Sequence, residues 1–81
     1  MRRSMGIMRE IKIKLGLNDV TDFVRAAAAC DFDIDVNYNR VLVDAKSILG
    51  VMGMDLNHIL TVKCYGESPE FENFLQRYAV A

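Results

Sequence analysis

Ala45-Lys46-Ser47-Ile48-Leu49-Gly50-Val51-Met52-Gly53-Met54-Asp55 lies between two strand-like stretches and reads as a short helix, roughly 47–54. Ser47 is its cap, because a serine hydroxyl accepts from the free amides of a first turn. The residues after it carry more apolar side chains than one buried stripe needs. If Val51 and Met54 face a sheet at i and i+3, then Ile48, Leu49 and Met52 cannot all do so. They spread onto the outer side as a small apolar patch. Such patches on small domains often mark partner sites, and methionine suits an adaptable one.

Upstream of this helix, Phe32, Ile34, Val36 and Tyr38 alternate with Asp33, Asp35 and Asn37, the period of a half-buried strand. The turn Tyr38-Asn39-Arg40 leads into Val41-Leu42-Val43, so the two strands form a hairpin. Downstream, residues 59–65 predict a fourth strand with Leu60, Val62 and Cys64 inward, ended by Gly66. Ser68 and Pro69 then mark a helix start, serine at the cap and proline at the first helical position. Phe71, Phe74, Leu75 and Tyr78 supply its apolar stripe. At the front, Ile11, Ile13 and Leu15 alternate with Glu10, Lys12 and Lys14 in a strand over 9–15. Gly16 breaks it. Asn18 or Asp19 is the expected N-cap of a helix over 19–30, with Val20, Phe23, Val24 and Ala27 on one stripe. The order β-α-β-β-α-β-α predicts an α+β fold. Its four-stranded, mainly antiparallel sheet carries three helices on one face, and the polar strand faces meet water.

With 81 residues, 52% of them hydrophobic and 26% charged, the chain suits one small folded domain and not a disordered segment. We assign that domain to residues 8–81. Met1-Arg2-Arg3-Ser4-Met5-Gly6-Ile7 reads as a flexible N-terminal extension, since alternation begins only after Met8. The net charge is -1, and it becomes -3 without Arg2 and Arg3. That balance argues against a nucleic-acid partner. No run approaches the length of a membrane helix, and no signal-peptide core follows the basic start. Cys30 and Cys64, each in an apolar stretch, read as free thiols of a reducing cytoplasm.

Local motifs for catalysis are absent. The single histidine, His58, stands in a turn, and Cys64 six residues along an extended strand is out of hydrogen-bond reach. Asp31, Asp33 and Asp35 open like a calcium loop, but the glycine and glutamate that such a loop requires are replaced by Val36 and Leu42. No zinc spacing and no phosphate-cradling glycine loop occur. The reading is a non-enzyme without cofactor or metal.

The stretch Lys46-Ser47-Ile48-Leu49-Gly50-Val51-Met52 closely resembles the regulatory serine site of HPr, the small phosphocarrier of the bacterial sugar phosphotransferase system. The element order is similar to the open-faced β-sandwich of that family. The likeness covers roughly residues 8–80. It implies a protein that binds protein partners through Lys46, Ile48, Leu49 and Met52, and a phosphorylation site at Ser47 for a dedicated serine kinase. The modified protein would then act on a transcriptional or metabolic regulator.

The family carries its phosphoryl group on a histidine in a Gly-Leu/Ile-His-x-Arg-Pro motif. Here the matching region is Gly16-Leu17-Asn18-Asp19-Val20-Thr21. Aligned on Gly-Leu, Asn18 replaces the histidine and Val20 the arginine. Aligned without a gap, Gly16 and Asn18 fall there. Asparagine has no basic nitrogen to carry a phosphoryl group, and Asp19 would repel phosphate. The resemblance thus implies a degenerate phosphohistidine region and a regulatory or adaptor role without histidine phosphotransfer. Two alternatives share the element order: an ACT-like amino-acid sensor that uses Gly16 and Asn18, and a docking module with no phosphorylation. The chain is expected to be a monomer or a weak dimer.

Overall fold

The computed structural model describes residues 8–80. The expected N-terminal extension, residues 1–7, lies outside them. Strands β1 (Arg9–Ile13), β2 (Ile34–Tyr38), β3 (Val41–Asp44) and β4 (Leu60–Cys64) form one sheet in the order β1-β4-β2-β3. Every pairing is antiparallel, with Ile11 opposite Val62, Val36 opposite Val62, and Val36 opposite Val43. Those in-register aliphatic side chains share one face. Helices α1 (Val20–Ala28), α2 (Ile48–Met52) and α3 (Pro69–Gln76) cover it. The core joins Ile13, Ile34, Val36, Leu60, Val62 and Cys64 of the sheet to Phe23 and Ala27 of α1, Val51 of α2, and Phe71 and Leu75 of α3.

Periodicity places these elements, while their ends follow local hydrogen bonding. Strand β1 stops at Ile13, not Leu15, although Leu15 is buried. Helix α2 stops at Met52, and Met54 reaches the core from the turn beyond it. Neither Asn18 nor Asp19 caps α1 with its side chain. Residues 17–19 instead form a 3-10 turn in which the Asp19 amide donates to the Gly16 carbonyl (2.9 Å). The Asp19 carboxylate accepts from the Gly16 amide in return (3.1 Å). The acceptor expected at the helix start is thereby spent one turn earlier.

Asp35 departs from the solvated face expected of it, being only 7% exposed. Its strand is an inner one, flanked by Lys63 of β4 and Asp44 of β3, so neighbours on both sides exclude water. Asn37 on the same face is half-buried, and its Oδ1 is buried without a hydrogen-bond partner. The hairpin turn holds Asn39 at φ 55°, a left-handed conformation that asparagine tolerates. Gly66 is required for a different reason: a Cβ there would lie 2.4 Å from the Phe32 ring.

The two edges of the sheet are treated differently. Beyond α3 the chain returns along β1. Lys14 donates its amide to the Tyr78 carbonyl (2.9 Å), and Val80 donates to Lys12 (3.0 Å). Ile13 and Ala79 form a bridge between those bonds. Among the described residues, β3 pairs only with β2, which leaves its outer side open.

Cys64, on the core face of β4, gives the fold an alkaline limit. Burial pushes its thiol up to about 11, and the nearby Cys30 thiol adds to the rise. The unfolded chain ionises this group near 8.5, so the buried thiol favours folding fully below that pH and ceases to do so as pH rises through the folded value. Thermal melts are expected to lose about 3 kcal/mol of stability by pH 11 from this source. The Cys64→Ala variant starts lower and declines less steeply; parallel slopes for the two proteins would refute the assignment.

Candidate functional site: the α2 face and the turn before α1

Ser47 occupies the cap position expected from sequence. Its φ and ψ are extended, and its Oγ accepts from the Gly50 amide (3.1 Å). Its own amide donates to the Asp44 carbonyl (3.0 Å), so the cap is fixed to the end of β3. The side chain remains exposed. Gly50 allows α2 to lie close to the sheet, since a Cβ there would stand 3.3 Å from Val43 Cβ. Only Val51 of the helix itself is buried.

The surplus apolar residues lie on the outer side, as the spacing implies. Leu49 is 80% exposed, and Ile48 and Met52 are exposed beside it. Lys46 behaves differently. It is half-buried, and its Nζ donates to the Cys30 carbonyl (2.8 Å) just beyond the C-terminus of α1. A cation is favoured at that end of a helix dipole. Lys46 thus ties α2 to α1 and is not a loose countercharge next to Ser47.

Helix α1, which packs against α2, begins at the turn of Gly16, Leu17, Asn18 and Asp19. Asn18 is exposed, and Leu17 is 65% exposed. That apolar side chain was singled out in the sequence only for its place in the motif, because a lone leucine beside glycine carries no periodic signal. Val20 is fully buried in the core, so the position aligned with the family arginine has no access to a ligand. His58 is held elsewhere, stacked on Tyr38 (centroids 4.4 Å apart, 10° between planes) with its Nε2 3.1 Å from Asp55 Oδ2. Among the described residues, no group of three His, Cys, Asp or Glu is placed to hold a metal ion. No helix among them is long and apolar enough to cross a membrane.

Comparison with known proteins agrees with this geometry. A search of curated proteins finds no match. Among solved structures, the fold is similar to a crystal structure of a phosphocarrier protein HPr from Bacillus anthracis str. Ames. The TM-score is 0.66 at 23% identity, over 91% of this chain and 96% of that one. The family profile described as "PTS HPr component phosphorylation site" matches residues 9–76, which include both the turn before α1 and all of α2. With most of its length inside that match and its sheet and helices in the same arrangement, this chain belongs to the HPr family of the phosphotransferase system.

Proposed function

We propose that this chain is a cytoplasmic regulatory or adaptor member of its family, which binds protein partners through the α2 face and does not carry phosphate on a histidine. The supporting observation is the contrast between its two sites. The α2 site keeps an exposed serine cap with exposed Ile48, Leu49 and Met52 around it. The turn at 16–19 offers an amide, a carboxylate and a leucine, and no imidazole. Family membership supports this reading over the amino-acid-sensing alternative.

Ser47 is the proposed control point. A phosphate on its Oγ adds about -1.5 to -2 of charge beside an apolar patch. That change disfavours a partner that buries Leu49 and favours one that presents arginine. Lys46 is already bonded to Cys30, so the charge is met by the partner and not internally.

Intact-mass measurement after incubation with an HPr serine kinase and ATP tests this control. One phosphate is expected, and Ser47→Ala is expected to abolish it. No mass change with a kinase active on its usual substrate would leave an adaptor without phosphorylation. Because Ser47 is also the cap, Ser47→Ala carries a stability cost of about 1 kcal/mol, to be measured by denaturation and kept apart from the kinase result.

A further inference from the structure

The open edge of β3 is self-complementary. We propose that two copies of this chain associate by antiparallel pairing of β3 with β3 about a two-fold axis through Leu42, which joins two four-stranded sheets into one of eight.

The hydrogen-bonding pattern of the hairpin fixes which groups are offered. Ala45 donates its amide to the Ile34 carbonyl (2.9 Å), so residues 34 and 45 are a hydrogen-bonded pair. Such pairs alternate along an antiparallel ladder. Val43 and Val41 therefore also bond to β2, and Leu42 and Asp44 direct their backbone groups outward. Ser47 takes the Asp44 carbonyl. Among the described residues, the Leu42 amide and carbonyl and the Asp44 amide remain on the free edge. Leu42 pairing with the second copy's Leu42 satisfies both of its groups, and the Asp44 amide then reaches the second copy's Arg40 carbonyl.

Side chains select the same register. With Leu42 opposite Leu42, Arg40 of each copy stands opposite Asp44 of the other, so the pairing is complementary in charge at both ends. Neither residue has an ion pair among the described residues of its own chain. At the centre, Leu42 is 56% exposed, and its chain neighbour Val41 is exposed as well. The strand is short, which itself limits strand addition, but among the described residues the edge carries no proline and no covering chain. The opposite edge of the same sheet has its covering chain in residues 78–80. A four-residue strand gives an interface well below standard size, so the dissociation constant is on the order of 0.1 mM.

Sedimentation equilibrium of the full chain from about 10 μM to about 1 mM tests this. A monomer–dimer equilibrium is expected. Arg40→Asp and Asp44→Arg each place like charges at both ends of the seam, and each is expected to weaken dimerisation about tenfold. An equimolar mixture of the two variants restores opposite charges at both ends, so mixed dimers are expected to form within about threefold of the native affinity. Loss of structure in one variant would not give that rescue. Should Asp44→Arg fail to fold, Leu42→Lys replaces it, with the expectation that charge on the axis prevents dimerisation. A native chain that stays monomeric at the highest concentration would overturn the proposal. So would a dimer indifferent to both charge reversals, which would assign association to another surface.

Discussion

Incubated with phosphoenolpyruvate and enzyme I, this chain is expected to acquire no phosphoryl group. Phosphotransfer of this kind needs a neutral imidazole nitrogen as nucleophile and a cation to hold the incoming phosphate. The turn at Gly16–Asp19 supplies neither. Its one ionisable side chain, the Asp19 carboxylate, is folded back on the Gly16 amide and repels phosphate at the start of α1. Asn18→His returns the imidazole alone. The arginine cannot follow at the aligned position, because Val20, the first residue of α1, is buried in the core and a charge there would disrupt it. Phosphorylation of Asn18→His is therefore expected to remain far below one group per chain. Acid-labile, base-stable phosphate on the native protein, found by intact mass, would contradict the functional reading.

The second large effect concerns the core. Phe23→Ala is expected to destabilise the domain by about 3–5 kcal/mol, read from urea denaturation. Phe23 is fully buried, its ring centroid is 6.2 Å from that of Phe71, and it belongs to the cluster that joins α1 and α3 to the sheet. A domain of this size has about 5–10 kcal/mol in total, so the variant is expected to be partly unfolded at 37 °C. A cost below about 1 kcal/mol would mean that the helices repack over the gap. Leu49→Ala makes the internal comparison. Leu49 lies on the outer side of α2, so stability is expected to change little while partner affinity falls.

These expectations began as sequence patterns, and the residues show where pattern reading succeeds. Alternation at Ile34, Val36, Leu60 and Val62 and the stripe at Phe23 and Ala27 are repeated signals, and each of those residues is in the core. The excess of apolar residues after Ser47 was legible because a five-residue helix has room for only one inward face. Three things were not legible. The cap at Asp19 depended on whether its carboxylate turned forward or back. The burial of Asp35 depended on its strand lying inside the sheet. The openness of β3 depended on the order β1-β4-β2-β3. Strand order and the direction of a single carboxylate are tertiary facts that alternation does not encode.

The bonds between Lys12, Lys14 and the segment 78–80 have a consequence for synthesis. Strand β1 precedes the other three strands in the chain yet is completed after them, because among the described residues its outer edge is satisfied by residues 78–80, beyond β4 and α3. Until these have left the ribosome, β1 has no such cover, and its inner neighbour β4 is itself a late arrival. The native sheet therefore closes only after residues 78–80 have emerged, so a stall before them would leave a nascent chain with that edge of β1 uncovered and sticky.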